Sequence, residues 1–371
     1  MTERVRAAES PQKAPGRIAW ADTARGIAIS LVATYHATNW LLAATLPVEY
    51  WTQINLVLAT LRMPLFFVVS GLFAGKWLTA SWSDLWHKKV LLFVWVFLVW
   101  EVIGTFTLQL GLIMEDKCCS SVGSNLKSIL ISPIAPRFEL WFIWALAIFF
   151  VAAKLIHRVD YRIQLAVAGV AAAIAMSGWT TDNVGWSGSV KYFFFFLVGI
   201  YAREVVFRIG AIRSRWALGG MVAGWAVISF GIWFFNLTNV PGVYFVNALI
   251  GVVAGVAASR LLARVRVLGW IGTQTLPVYL AHTPIILVLA FILWQPAILP
   301  HVLPLSPVVP PLVAAIAITL ALLLHRVLAR TPLRVVYEPP RFLSRQRQPK
   351  RPPQPEVTDD STPAPRADSP H

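Results

Sequence analysis

The chain is a succession of long apolar runs separated by short polar segments. Each of ten runs approaches the ~20 residues that an α-helix needs to cross the hydrocarbon of a bilayer, and so predicts a membrane helix. Two of the runs are shorter than the rest, those at 163–178 and 188–204. The ten cover residues 22–45, 53–75, 88–110, 138–157, 163–178, 188–204, 216–236, 242–262, 274–295 and 307–328.

The composition agrees with this pattern. Hydrophobic residues make up 57% of the chain and charged residues only 13%, with a mean hydropathy of +0.65. These values exclude an ordinary soluble domain. We expect an all-α, polytopic transmembrane bundle of about ten helices, embedded in a lipid bilayer, whose chemistry comes from the helices and their short loops.

The basic residues alternate between the two sides of the predicted helices. If the N-terminus is cytoplasmic, most of the 32 Lys and Arg residues fall on the cytoplasmic side, as the positive-inside rule requires. Both termini are therefore predicted to be cytoplasmic, and the net charge of +15 indicates membrane topology and not a nucleic-acid partner. The basic residues left on the outer side are Lys117, Lys127, Arg137 and Lys191.

Three regions follow from the hydropathy. Residues 1–17 are a polar cytoplasmic segment without the apolar core of a cleavable signal, residues 18–330 form the transmembrane domain, and residues 331–371 are a basic, Pro-rich tail expected to be disordered. The two cysteines, Cys118 and Cys119, are adjacent. They predict neither a disulfide framework nor a metal site.

Ionisable residues inside the bilayer are costly and therefore point to function or to pairing. Asp22, Arg25 and His36 fall on one face of the first helix. At about 1.5 Å per residue, His36, Arg62 and Glu101 come to a similar depth, which is what a buried acid/base site requires. Two alternatives stay open: Arg62 and Glu101 neutralise each other, or His36 is a core histidine satisfied by a neighbouring helix.

A second group of cations lies lower, near the cytoplasmic surface. Arg25 on the first helix and the triplet His87 to Lys89 at the foot of the third could hold phosphate groups of a soluble donor. Asp22 is the obvious partner of Arg25. The alternative is that Lys88 and Lys89 serve only as topology determinants.

Two segments resemble signatures of the membrane acyltransferase-3 family. "WADTARGIAISLVATYH", residues 20–36, is similar to its first helix, with an Asp, an Arg-Gly and a His eleven residues after the Arg. "LRMPLFFVVSGLFAG", residues 61–75, resembles its Arg-x-Pro-x-Phe-Phe run that ends in Ser-Gly at Ser70. "ELWFIWALAIFF", which contains Trp141, and "PVYLAHTPI", which contains His282, match weaker features.

The resemblance covers about residues 18–328 and carries expectations with it. It implies a multi-pass protein of the cell inner membrane that transfers an acetyl or succinyl group from acyl-CoA to a hydroxyl of an exported carbohydrate. It also implies that His36 is essential and that Arg25 and Arg62 are functional arginines. The chain departs from the family at His87–Lys89, where many members are Arg-rich, and at Glu139, where many have a His; the resemblance therefore does not support a catalytic role for Glu139.

The residues suggest a mechanism. His36 would deprotonate the acceptor hydroxyl, Arg62 would stabilise the tetrahedral oxyanion or orient the thioester carbonyl, and Glu101 would orient His36 or balance Arg62. The resemblance implies acyl-CoA as a co-substrate, and no permanently bound cofactor or metal is expected. The predicted substrate-binding residues are Asp22, Arg25, Ser70, Lys88, Lys89, Trp141 and His282.

Other interpretations remain open at this point. His36 could be acylated transiently and relay the group. Trp40, Trp51 and Trp141 could stack on sugar rings or simply anchor the helices at the interface. The competing function is a transporter or flippase for a carbohydrate or lipid-linked sugar, although the sequence has no evident internal repeat, and a third is a noncatalytic scaffold.

Overall fold

The architecture is seen in a computed structural model of the chain, which describes residues 18–114, 120–238, 240–340 and 342–343. Those residues form helices joined by short loops, with no β-strand among them. Part of the predicted tail, residues 344–371, and the pair Cys118 and Cys119 lie outside the described residues, as do residues 1–17.

The helices follow one another with few long connections. In chain order they are α1 Ala19–Ala43, α2 Tyr50–Leu72, α3 Lys76–Thr79, α4 Trp82–Leu85, α5 Leu91–Met114, α6 Val122–Ile131, α7 Trp141–Ile156, α8 Tyr161–Met176, α9 Val184–Tyr201, α10 Arg203–Ala211, α11 Arg215–Phe234, α12 Val243–Leu261, α13 Arg266–Thr273, α14 Thr275–Trp294, α15 Leu299–Val302 and α16 Val309–Leu328. A π-helical turn, Trp86–Val90, joins α4 to α5.

Every predicted apolar run corresponds to a helix, so the all-α transmembrane fold is confirmed. Within the described residues, seven helices are long and apolar enough to cross a bilayer: α2, the continuous stretch Trp82–Gln109, α9, α11, α12, α14 and α16. Helices α7 and α8 are shorter, with 16 residues each. Helix α1 has 25 residues but is not among the seven. The cytoplasmic location of the termini stays a prediction.

Helix α1 is the central element of the bundle. It packs against α2, α12, α13, α14 and α16, and small buried residues such as Ala24, Ala28 and Ala33 line it. A Cβ on Gly26 would overlap the backbone of α13 at Leu268, so only glycine permits this close crossing. Surrounding α1 with protein shields its polar residues from lipid.

The segment before α7 holds the start of that helix in place. The indole of Trp144 donates to the carbonyl of Pro133 at 2.8 Å, the indole of Trp186 donates to Ile134 at 2.8 Å, and Asn183 Nδ2 donates to Pro136 at 3.1 Å. We call residues 132–140 the strap. These bonds fix the strap against α7 and α9 immediately before Glu139.

Part of the predicted tail packs on the bundle. Residues Pro332–Val336 form a 3₁₀ turn, and the indoles of Trp95 and Trp100 on α5 donate to the carbonyls of Val335 and Val336 at 2.7 and 2.8 Å. The expectation that disorder begins at residue 331 is therefore wrong for this stretch, because local apolar residues and two indole donors order it.

Candidate active site

A histidine–carboxylate pair joins α1 to the 3₁₀ turn that precedes α7. The Nδ1 atom of His36 lies 3.2 Å from Oε1 of Glu139, and each side chain is 14% exposed. Since a carboxylate oxygen accepts, Nδ1 carries the hydrogen and Nε2 is the basic nitrogen. The contact therefore fixes the tautomer and orientation of an imidazole that is able to take up a proton.

The partner of His36 is Glu139 and not Glu101, which corrects the predicted partnership of Glu101. Glu101 is fully buried on α5, where its Oε1 accepts from Nε of Arg137 at 3.3 Å. Arg137 also donates to Thr105 at 3.2 Å. The predicted partnership came from the rise along a helix, but α5 packs on α7 and α14, and Glu101 meets Arg137 of the strap.

Arg62 is buried on α2 among neutral partners. Its Nη1 donates to the backbone and side-chain oxygens of Asn55 at 3.3 and 3.2 Å, and the guanidinium lies 4.1 Å from the ring centroid of Tyr35. It makes no ion pair within the part of the chain that the structure describes, so mutual neutralisation with Glu101 is excluded there. A buried cation without a counter-ion is costly unless a ligand or reacting group uses it.

Helix α14 brings a second imidazole to the pair. His282 is fully buried, its ring centroid is 5.3 Å from that of His36, and its Nδ1 donates to the carbonyl of Tyr279 at 2.7 Å. The hydroxyl of Tyr279 donates to the backbone carbonyl of Glu139. Tyr279 thus anchors the turn that presents Glu139, while His282 packs beside the reactive ring.

His36, Glu139 and Arg62 face a cavity of about 280 Å³, here called the His36 cavity, whereas His282 lies behind its lining. Its wall alternates polar groups with aromatic rings. The polar groups come from five elements, and the rings include Trp141, whose role in substrate binding stays a prediction. The members that matter below are Tyr35, His36, Arg62, Phe66, Glu139, Trp141, Phe142, Ser187, Gly188, Lys191, Tyr192 and Tyr279.

The ring of Trp141 is held flat against α9. It stacks on Tyr192 with centroids 6.0 Å apart and planes inclined by 25°. A Cβ on Gly188 would lie 2.4 Å from a ring atom of Trp141, so the absence of a side chain there leaves room for the indole. The result is a rigid aromatic wall on one side of the His36 cavity.

A second cavity of about 230 Å³ lies nearer the N-terminus of α1, and we call it the Arg25 cavity. Its polar lining comprises Arg25, Ser70, Lys89 and Thr275. Arg25 bonds Asp22 at 3.2 Å and lies 4.7 Å from the centroid of Phe73. Because Arg25 and His36 are eleven residues apart on one helix, about 16 Å separates their levels.

The two cavities share an aromatic partition. Phe66, Phe142 and Tyr279 line both. The centroids of Phe66 and Phe142 are 4.6 Å apart, and those of Phe142 and Tyr279 are 5.4 Å apart. Three rings in contact therefore lie between the His36 cavity and the Arg25 cavity.

The structure separates the two predicted lysines. Lys89 lines the Arg25 cavity, whereas Lys88 is half exposed and bonds Asp84 at 2.7 Å, away from the cavity lining. His87 also turns aside, to Ser83. Successive residues of the π-helical turn Trp86–Val90 point in different directions, and of this triplet only Lys89 faces the Arg25 cavity. No cluster in the described residues has the three or more His, Cys, Asp or Glu side chains that a metal ion needs.

Glu139 was missed for a definable reason. Glu139 is not part of a recognisable acidic motif. It occupies the position before Leu-Trp-Phe at which many members of the acyltransferase-3 family have a His. The available signal was that position itself: a polar, titratable residue directly before an apolar helix, in a signature that also contains Trp141. Which helix it meets cannot be derived from its place along the chain.

Comparison with known proteins identifies the family of the chain. The sequence profile of the acyltransferase-3 family, described as an acyltransferase domain, matches residues 18–326. The Escherichia coli K12 protein named inner membrane protein YcfT is 20% identical over 283 residues, which cover 71% of this chain and 78% of YcfT. No solved structure gives a significant match.

The fold is that of a multi-pass membrane protein in which a histidine–carboxylate pair and a buried arginine line one cavity and two further cations line a second. The chain belongs to the acyltransferase-3 family. Its class is accordingly that of a membrane acyltransferase.

Proposed function

We propose that this protein transfers an acyl group, acetyl or succinyl, from acyl-CoA to a hydroxyl of an exported carbohydrate. The observation that carries the proposal is the His36–Glu139 pair, which lines the His36 cavity together with the unpaired cation Arg62. The name of YcfT as an inner membrane protein supports placing the chain in the inner membrane. The donor would enter the Arg25 cavity and the acceptor the His36 cavity.

The chemistry requires a base and a site for negative charge. Nε2 of His36 takes the proton of the acceptor hydroxyl as its oxygen attacks the thioester carbonyl carbon. The guanidinium of Arg62 stabilises the oxyanion that forms. When the intermediate collapses, the C–S bond breaks and the CoA thiolate takes the proton from His36.

Glu139 has a supporting role in this scheme. Its carboxylate holds the Nδ1–H tautomer and stabilises the imidazolium formed during transfer, as the buried acid does in other His–carboxylate pairs. Glu101 and Arg137 act through the strap. They are positioning residues, because their ion pair fixes a segment only two residues before Glu139.

Donor binding would use the cations of the other cavity. Arg25 and Lys89 present positive charge to phosphate groups, and Ser70 lines the same space. The thioester arm would reach His36 past the partition of Phe66, Phe142 and Tyr279. A transient acyl group on His36 would use the same passage, with the imidazole first as nucleophile and then as leaving group.

The test is transfer by the purified protein in lipid nanodiscs. Radiolabelled acetyl-CoA or succinyl-CoA is mixed with an oligosaccharide acceptor, and label on sugar is counted. We expect His36→Ala to lower the initial rate by about 10²-fold or more, while His301→Ala, a histidine in an exposed position, keeps it. If the acyl-CoA donor stays intact while sugar crosses the membrane, the protein is a transporter. If His36→Ala retains acyl transfer activity, the mechanism is refuted.

Acid quenching separates the two catalytic schemes. With donor but no acceptor, an acyl-histidine relay predicts label bound covalently to the wild-type protein and absent from His36→Gln. General-base catalysis predicts no label on either protein.

A further inference from the structure

Lys191 gives the His36 cavity a second cation. It lies on α9, four residues after Ser187 and three after Gly188, a spacing that places these residues on one face of the helix, and it lines the cavity together with them. Its side chain is partly buried. It forms no ion pair within the described ranges of the chain.

The charges around the cavity do not balance. Arg62 and Lys191 are cations, and the single carboxylate in the lining, Glu139, is engaged with His36. The acidic groups on the neighbouring helices are used elsewhere: Asp22 bonds Arg25, and Glu101 bonds Arg137. Within the described residues the cavity therefore carries an excess of positive charge at neutral pH.

The two cations belong to different parts of the cavity wall. Arg62 on α2 is fixed by Asn55 and the ring of Tyr35. Lys191 comes from α9, the helix that also supports the stacked Trp141 and Tyr192. A flat aromatic wall beside a flexible ammonium suits a sugar ring that bears an anionic substituent.

We infer that the acceptor is an acidic carbohydrate, and that Lys191 binds its carboxylate or phosphate group while Arg62 serves the reacting carbonyl. The inference rests on the proposed acyl transfer and names its acceptor class. Lys191 is a specificity-determining residue in this account. Excess positive charge in a cavity with low-dielectric walls attracts anionic substrates, so they bind more strongly there than neutral ones.

The experiment compares acceptors that share a glucose-type ring and differ mainly in the charge of the group at C6. Purified protein in nanodiscs receives labelled acetyl-CoA and one of three sugars: methyl β-D-glucuronide, methyl β-D-glucoside or glucose 6-phosphate. The variants are Lys191→Met, which keeps the length of the side chain without its charge, and Lys191→Arg. The matched control is Lys127→Met, at an exposed position on α6.

We expect the wild type to prefer at least one anionic sugar over the glucoside. Lys191→Met should raise KM for that sugar by about ten- to a hundredfold, the range for loss of a bond to a charged group, with little change in kcat or in the rate with the glucoside. Lys191→Arg should restore most of the preference, and Lys127→Met should leave it intact. The preferred anion tells a uronate-type acceptor from a phosphorylated one.

Two failures are distinguishable. Equal use of charged and neutral sugars by the wild type, or equal losses on all three in Lys191→Met, overturns the acidic acceptor while acyl transfer stands. Absence of label on every sugar in the wild type overturns the proposed transfer itself, and the inference with it.

Discussion

His36 and Glu139 meet across 3.2 Å, although 103 positions separate them in the chain. The contact exists because Tyr279 and the strap hold the turn before α7 against α1. Both the buried-charge pattern and the family resemblance pointed to His36. The sequence analysis gave no role to its partner, Glu139.

The carboxylate charge of Glu139 should matter more than its size. We predict that Glu139→Gln lowers kcat by about 10²-fold or more, because the amide neither holds the tautomer reliably nor stabilises the imidazolium. Initial acyl transfer rates in nanodiscs measure this. Glu49→Gln, at an exposed residue, is the control, and equal rates for both variants would remove Glu139 from the mechanism.

Lys88 and Lys89 provide a matched pair for donor binding. Lys89→Met should raise KM for acyl-CoA by about tenfold, since it removes one charge that faces the Arg25 cavity. Lys88→Met should change KM little, because that lysine bonds Asp84 outside the cavity. Steady-state kinetics with varied acyl-CoA decide the matter, and equal effects would mean that the donor binds elsewhere.

The Glu101–Arg137 pair predicts an asymmetry in stability. Glu101 is 0% exposed and Arg137 is 31% exposed, so removing the arginine leaves a buried charge, whereas removing the acid leaves a cation with access to solvent. Arg137→Gln should cost about 3–5 kcal/mol and Glu101→Gln less. Thermal unfolding in detergent tests the order.

A double variant sharpens that test. Glu101→Gln combined with Arg137→Gln should recover part of the stability lost in Arg137→Gln, because no buried charge then lacks a partner. Additive losses would show that the two residues contribute independently and would weaken the role of the strap.

Gly188 should tolerate no side chain. We predict that Gly188→Ala displaces Trp141, whose ring atoms lie where the new Cβ would be, and raises KM for the acceptor while KM for acyl-CoA changes little. Gly219→Ala, where nothing lies within 4 Å, is the control. A shift confined to the donor KM would place the acceptor outside the His36 cavity.

Much of the fold could be read from the chain because the bilayer imposes a strict length on apolar helices. The ten runs each became a helix, and His36, Arg62 and Trp141 proved to line one cavity. The resemblance to the acyltransferase-3 family was confirmed along residues 18–326. The tail was less well predicted, because Pro332–Val336 is ordered by contacts to α5 that composition does not reveal.

What the sequence determined by itself was which segments enter the membrane and how far along each helix a polar residue lies, since apolar length and the rise per residue are local properties. The tertiary structure decided which residues meet. Rotation of each helix about its axis and the choice of its neighbours depend on packing throughout the bundle. Packing is why Glu139 and not Glu101 faces His36, and why Lys89 and not Lys88 faces the Arg25 cavity.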